Sequence, residues 1–292
     1  MHQFVNIVLN GLSLGMIYAA FALALVLIYR ATRIINFAQA PMAMVSTFVA
    51  LTVIDAGGSY WLALAVALVS GFVLGAVVER VIVRPVEGKS PINAVILTLG
   101  LFTALHALAA IVFGSDFRSF PAPFGMRGFQ IGEQTFALTG FGIFTIISVL
   151  TVMAVLLFLF QRTTLGLRMR ASAFNQEVAR LLGVRVGRML TLGWALAGAV
   201  GALSGVLIAG GNFIHPAYMD AVVVYGFAAA VIGGLDSPVG SVVGGLALGI
   251  VFSIVAGYVG SQLLPLTAFA VLIVVLLLKP DGIFSRTATR RV

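Results

Sequence analysis

Nine apolar stretches without any aspartate, glutamate, lysine or arginine constrain what this chain can fold into. They cover residues 4–28, 34–54, 61–78, 91–113, 136–160, 189–209, 221–235, 239–258 and 263–278. A helix rises about 1.5 Å per residue, so roughly 20 residues cross the hydrocarbon core of a bilayer. Most of the stretches are that long. The sequence therefore predicts an all-α, polytopic bundle of transmembrane helices with eight or nine membrane segments.

Two of the stretches are short, with 15 residues in 221–235 and 16 in 263–278. We expect 221–235 to be a half-helix or a re-entrant segment, which a membrane tolerates only inside the protein or beside a cavity. No linker marks a second unit along the chain. Residues 1–292 are therefore expected to form one transmembrane domain.

The composition excludes several classes of protein. Only 9% of the residues are charged, whereas a soluble domain uses about a quarter. This argues against a soluble enzyme, a nucleic-acid-binding protein and a disordered chain. The net charge of +8 would otherwise suggest nucleic acid, but the basic residues lie between the apolar stretches and are better explained by a membrane.

The basic residues divide unequally between the two sides of the membrane if the nine stretches cross in turn. One side receives Arg30, Arg33, Arg80, Arg84, Lys89, Arg162, Arg168, Arg170, Arg180, Arg185, Arg188, Lys279, Arg286, Arg290 and Arg291. The other side receives only Arg118 and Arg127. The positive-inside rule makes the first side cytoplasmic. It predicts a cytoplasmic loop at 161–188, a cytoplasmic C-terminus and an external loop at 114–135.

Residues that usually carry catalysis or hold metals are sparse. The chain has no cysteine, and its three histidines form no metal-spaced pair. Gly88-Lys89-Ser90 resembles the end of a phosphate-binding loop, but Val83 stands where that loop needs a glycine. We expect no catalytic residue, no metal site and no cofactor, and for His106 a hydrogen bond to a neighbouring helix rather than a proton relay.

The apolar stretches also lack the charged groups that ion- and proton-coupled carriers usually keep at mid-membrane. If the protein moves a solute uphill, the energy is therefore expected to come from a partner protein.

The loop at 161–188 contains a predicted helix over 172–183. Ser172 is expected to cap its start and Gly183 to end it in the left-handed conformation. The apolar stripe consists of Ala171, Phe174, Val178 and Leu181, and the polar face of Asn175, Gln176, Glu177 and Arg180. Such a helix either lies on the lipid surface or inserts into a groove of a cytoplasmic partner.

Five motifs in this chain resemble those of one transporter family. Glu177-Val178-Ala179, followed three residues later by Gly183, resembles the coupling loop of ABC importer permeases. The second motif joins Gly11–Gly15, Tyr18 and Ile34–Gln39, and the third joins Glu79-Arg80 and Arg84-Pro85. The fourth is Gly233–Gly240 and the fifth is Lys279–Phe284. In combination they are similar to the branched-chain amino-acid ABC permeases, over nearly the whole chain.

The resemblance implies an inner-membrane import complex. Such a complex has two permease subunits, often unlike each other, two cytoplasmic ATPases and an external solute-binding protein. The residues that would contact the ATPase are Ser172, Phe174, Glu177, Ala179, Arg180 and Gly183. Candidates for the solute path are Asn36, Gln39, Asn93 and Thr98, which offer hydrogen bonds without fixed charge. For Asn93 and Thr98, hydrogen bonds between helices are an equal alternative.

Two departures from the family pattern keep other solutes open. Gln39-Ala40 stands where the family usually has His-Gly, and Asp236 replaces a usual glycine. Urea, short-chain amides or another small neutral solute therefore remain alternatives to leucine, isoleucine and valine. A secondary carrier or channel that acts alone is a rival interpretation, and a structural scaffold is a weaker one.

Overall fold

The structure is a computed structural model that describes residues 2–86, 91–131 and 134–284. Four basic residues assigned above to the cytoplasmic side, Lys89, Arg286, Arg290 and Arg291, lie outside the described residues. So does the Gly88-Lys89-Ser90 tripeptide that was compared with a phosphate-binding loop.

Helices dominate the described part of the chain. They are α1 (His2–Thr32), α2 (Gln39–Asp55), α3 (Tyr60–Val77), α4 (Pro91–Phe113), α5 (Gly140–Arg162), α6 (Thr164–Phe174), α7 (Gln176–Leu181), α8 (Val186–Ala209), α9 (Asp220–Gly233), α10 (Pro238–Tyr258) and α11 (Leu264–Leu278). Helix α3 continues through a π-helical segment, Val78–Val83, and a short 3-10 turn, Arg84–Val86.

The predicted all-α polytopic bundle is confirmed, with a smaller number of full spans. In the part of the chain that the structure describes, seven helical segments are long and apolar enough to cross a membrane, and α2 and α9 are shorter. The stretch 263–278 belongs to a helical segment of 18 residues, Ser261–Leu278, which begins with a 3-10 turn. Helix α9, with 14 residues, has the half-helix length expected for 221–235.

Short strands that the sequence analysis did not predict lie between α4 and α5. They are β1 (Arg118–Ser119), β2 (Gly128–Ile131) and β3 (Gln134–Thr139), and a fourth, β4 (Phe213–Ile214), follows α8. Strand β1 pairs with β4 and β2 pairs with β3, both antiparallel. The predicted span 136–160 therefore starts late, because Thr139 caps α5 by accepting a hydrogen bond from Gly142 N–H.

Helices α1 and α8 form the centre of the bundle. They are the most buried of the candidate spans, whereas α4, α5 and α11 bury only 17%, 17% and 6% of their apolar spans. Trp194 of α8 and Phe21 of α1 are fully buried. The apolar surfaces of the outer helices remain available to lipid or to another subunit.

Glycines allow the closest helix contacts. A side chain at Gly249 of α10 would overlap the Cα atom of Gly15 in α1, and one at Gly71 of α3 would overlap Ala202 in α8. In a bilayer there is little hydrophobic force between helices, so close backbone packing of this kind is what holds them together.

One end of the bundle collects many of the arginines. There Arg33 pairs with Asp236, and Ala31 of α1 packs with Ala179 of α7 and Val186 of α8. We call this the basic end. It contains the described loops that the alternating topology assigns to the cytoplasm.

The other end, called here the opposite end, is joined by separate contacts. Arg118 pairs with Asp55, and β1 pairs with β4. The loops after α2, α4 and α8 therefore meet at one place, which agrees with the alternating directions predicted for the nine stretches.

The α1–α10 contact provides a test of the fold. Gly249→Val should lower the free energy of unfolding by about 1–3 kcal/mol, because the backbone of α1 cannot move aside for the new side chain. Gly100→Val in α4 is the matched control, since no atom lies within 4 Å of an added Cβ. Thermal unfolding in detergent measures both, and equal melting temperatures would contradict the proposed packing.

Candidate functional site

Asn36 and Gln39 form a buried polar pair at the start of α2. They are 1% and 0% exposed. The Asn36 Nδ2 donates to Gln39 Oε1 at 3.1 Å, and the Gln39 Nε2 donates to the Ala197 carbonyl in α8 at 3.0 Å. Gly201 makes room for Gln39, because a side chain there would overlap the amide. The pair therefore links α2 to the middle of α8.

The backbone before this pair is not helical. The predicted span 34–54 was wrong over its first residues, because helix α2 begins only at Gln39. Asn36 replaces the helical pattern with a local turn, in which its Oδ1 accepts a hydrogen bond from Ala38 N–H at 3.0 Å. Irregular backbone at membrane depth is tolerated where it is buried or lines a cavity, and Gln39 lies beside the midpoint of α8.

The other two candidates of the solute path lie elsewhere. Thr98 is fully buried, and its hydroxyl donates to the Val95 carbonyl of its own helix at 3.1 Å. Asn93 is exposed near the start of α4. Of the four predicted residues, the structure therefore brings together only Asn36 and Gln39.

The second short helix, α9, lies close to the same region. The ring of Phe37 is 6.5 Å from that of Phe227 in α9. At the start of this helix, His106 Nε2 lies 2.9 Å from the Asp220 carboxylate. His106 thus makes the expected hydrogen bond to a neighbouring helix.

A cavity of about 590 Å³ opens at the opposite end, between α1, α10 and β3. Asn6, Asn10 and Ser253 contribute polar groups, and Leu14 and Phe252 contribute apolar ones. The volume falls in the range of small-molecule sites. The Asn10 side chain is exposed although it lies in α1, so an uncharged hydrogen-bonding group faces this space.

The segment 172–183 is two helices rather than the single helix predicted. Helix α6 ends at Phe174, and Asn175 caps α7 by accepting hydrogen bonds from Glu177 N–H and Val178 N–H, both at 3.0 Å. The predicted capping role of Ser172 was wrong, because Ser172 lies inside α6 and is 1% exposed. Asparagine competes with the helical backbone for hydrogen bonds and so favours such a break.

Helix α7 and the residues that flank it present an apolar surface outward. Phe174, Leu181 and Leu182 are 94%, 87% and 76% exposed, whereas Ala179 is 1% exposed and packs on α8. We call these three exposed residues the apolar knob. Gly183 has φ +79° as predicted.

The charged residues of α7 are exposed beside the apolar knob. The Glu177 backbone N–H donates to Asn175 Oδ1 at 3.0 Å, and Arg180 donates to Gln176 Oε1 at 3.5 Å. Both side chains are exposed.

A buried ion pair near the basic end was missed by the sequence reasoning. Glu79 is 1% exposed. Arg84 donates to its carboxylate at 2.8 Å, and the Thr191 hydroxyl donates to it at 2.7 Å. Arg84 also donates to the Gly187 carbonyl at 2.7 Å. This cluster fixes the end of α3 to the first turn of α8.

The signal for the ion pair was present but ambiguous. Glu79 and Arg84 are five residues apart, and in an α-helix only positions three or four apart are neighbours. The π-helical segment Val78–Val83 repeats at i to i+5 and so brings the two side chains together. The resemblance motif contained both residues without indicating their contact.

Comparisons with known proteins agree with these features. Residues 7–278 match the family model described as the permease component of branched-chain amino acid transport systems. The permease protein LivH of Escherichia coli K12 is 30% identical over 306 residues, which cover 99% of this chain and 98% of LivH. The permease BraD of Pseudomonas aeruginosa is 28% identical, with 100% of this chain and 99% of BraD covered.

Two solved structures share the fold. PsaBC from Streptococcus pneumoniae, in complex with a Fab, is 15% identical, with a TM-score of 0.50 and coverage of 96% of this chain and 93% of that chain. An inward-facing putative metal-chelate type ABC transporter is 17% identical, with a TM-score of 0.51 and coverage of 93% and 85%. Because the family model matches nearly its whole length, this chain belongs to the permease components of branched-chain amino acid transport systems.

Proposed function

We propose that this protein forms the transmembrane path of an ABC importer for branched-chain or related small neutral amino acids. Two cytoplasmic ATPase subunits supply the energy, a second permease subunit completes the path, and an extracytoplasmic binding protein delivers the solute. The names of the full-length relatives support the solute class. The apolar knob around α7 is the single observation that carries the mechanism.

The apolar knob fits a protein partner better than the lipid surface. Its three side chains lie at the end of α6 and at the C-terminal end of α7, at the basic end, and Glu177 and Arg180 are exposed between them in sequence. An apolar centre with a charged rim is the usual anatomy of a protein interface. We therefore assign Phe174, Glu177, Ala179, Arg180 and Gly183 to the element that docks on the ATPase. Ser172 supports this element from inside α6.

The solute path is proposed to pass beside Asn36 and Gln39. These amides offer hydrogen bonds without fixed charge, which suits a zwitterion that must not be held tightly. The cavity that Asn10 faces is the proposed external entrance. Asn93 and Thr98 are retained as weaker candidates, because neither is joined to the Asn36–Gln39 pair.

Urea and short amides remain the second candidate class, because Gln39-Ala40 departs from the family signature. The discriminating experiment is solute-stimulated ATP hydrolysis by the transporter reconstituted with its binding protein. Leucine, isoleucine and valine are expected to stimulate hydrolysis, and urea or acetamide are not. Stimulation only by the amides would overturn the proposed solute class.

The single membrane domain over 1–292 is proposed to lie in the inner membrane with its basic end in the cytoplasm. In intact cells that express the permease without the ATPase, which would otherwise cover Phe174, an impermeant maleimide should label Ser119→Cys and leave Phe174→Cys unlabelled, and permeabilisation should expose Phe174→Cys. Both positions are exposed. Labelling of Phe174→Cys alone in intact cells would reverse the topology.

Docking of α7 can be tested at Gly183. A side chain there costs about 1–2 kcal/mol in the left-handed conformation, so Gly183→Val should weaken ATPase retention about tenfold. Gly57→Val is the matched control, because Gly57 has φ +84° and equally open surroundings but lies at the opposite end. Co-purification of the ATPase measures the effect. Equal retention in both variants, and in Glu177→Lys, would exclude α7 as the docking element.

The path can be tested at Gln39. Gln39→Leu keeps roughly the same volume but removes the hydrogen bonds to Asn36 and Ala197. Each is worth about 0.5–1.5 kcal/mol, so uptake per assembled complex should fall at least about 5-fold. Thr145→Val, which removes a buried hydroxyl bonded within its own helix, is the control. Unchanged uptake per complex would make the Asn36–Gln39 pair a packing contact.

A further inference from the structure

A shallow pocket at the basic end combines apolar and basic side chains. It lies between α1, α5, α6 and α8, and its accessible walls include Arg30, Phe160, Arg170, Ala173 and Met189. The enclosed volume is only about 20 Å³. Any occupant must therefore lie mostly outside the protein, which excludes a buried nucleotide or solute.

The positive charge of this pocket is only partly neutralised within the described residues. Arg33 pairs with the nearby Asp236, whose carboxylate also attracts Arg30, so three arginines share one acidic side chain. Arg30 and Arg170 have no hydrogen bond or ion pair with any side chain that the structure describes, and they lie close enough to interact electrostatically. Two guanidinium groups that repel each other in a partly apolar setting favour an anion between them.

The pocket lies where the membrane surface is expected. Arg30 and Phe160 are each two residues from the end of their helices, α1 and α5, and Met189 is three residues from the start of α8. These offsets correspond to about 3–5 Å along a helix. Three membrane-crossing helices thus end at the height of the pocket, which is the level of lipid phosphates.

One of the two arginines is held in place. The Arg30 guanidinium lies 5.5 Å from the centre of the Phe160 ring, which orients its planar face by a cation–π contact. Phe160 and Met189 are half-buried beside it, so the adjoining surface can contact hydrocarbon.

We propose that this pocket binds the phosphate of an anionic phospholipid from the cytoplasmic leaflet. Arg30 and Arg170 contact the phosphate, and Phe160 and Met189 contact the upper part of an acyl chain. Basic pockets between transmembrane helices on the cytoplasmic side favour such headgroups. Arg170 lies in α6, one turn before the break at Asn175, so the bound lipid holds the base of the proposed coupling element. Lipid binding itself does not depend on the proposed transport function.

The test measures lipid retention by native mass spectrometry of the intact transporter. The protein is exchanged into mixed micelles of an uncharged detergent with either phosphatidylglycerol or phosphatidylcholine. We expect preferential retention of phosphatidylglycerol, reduced about fivefold by Arg30→Gln and by Arg170→Gln, since each basic residue near the surface contributes a comparable factor. Arg188→Gln, an exposed arginine at the same end that does not line the pocket, should retain the lipid fully.

Three results would overturn the proposal. These are equal retention of the two lipids, full retention of phosphatidylglycerol by Arg170→Gln, and an equal loss in Arg188→Gln.

Two further arms test other occupants of the pocket. In the first, inorganic phosphate is added to lipid-free micelles. If it raises the melting temperature as much as phosphatidylglycerol does, the ligand is a soluble phosphate. If the arginine variants lose the ATPase in lipid-free detergent, the pocket is a protein contact. None of these readouts requires solute or ATP hydrolysis.

Discussion

The structure depends on close backbone contact between helices in a medium that offers no water. Every peptide group in the hydrocarbon core must find its partner within the protein, which accounts for the long helices. Because lipid gives little hydrophobic force between helices, their association rests on packing. Gly15 against Gly249 and Gly71 against α8 provide that packing, and together they place α1 and α8 at the centre.

The helical pattern is interrupted where the proposed functions lie. Asn36 turns the chain before α2, and Asn175 separates α6 from α7, in each case through an amide that replaces helical hydrogen bonds with local ones. The first interruption places a buried polar pair against the middle of α8. The second leaves an apolar knob facing outward. At both the proposed path and the proposed docking element, an asparagine side chain therefore interrupts the helix by accepting local backbone hydrogen bonds.

The buried Glu79–Arg84 pair holds the segment after α3 against the start of α8. It fastens the end of α3 to Gly187 and Thr191, at the start of α8. Helix α8 follows directly after Gly183 and contacts Gln39 at its midpoint. A displacement of the α7 segment would thus reach α8 at its fixed first turn, and α8 is the helix to which Gln39 is bonded. Breaking the ion pair would leave a buried charge, which is strongly destabilising.

The sequence by itself determined the membrane-spanning class, the nine helical stretches and the left-handed turn at Gly183, because apolar length and glycine conformation are local properties. The family motifs also identified the permease family. Only the tertiary structure decided that Gln39 bonds to α8 while Asn93 stands apart, that Ser172 is buried and Asn175 caps α7, and that Glu79 meets Arg84 through a π-helical segment. These depend on which helices are neighbours and on how a backbone departs from the α-helical repeat. Neither property can be predicted from the spacing of residues along one segment.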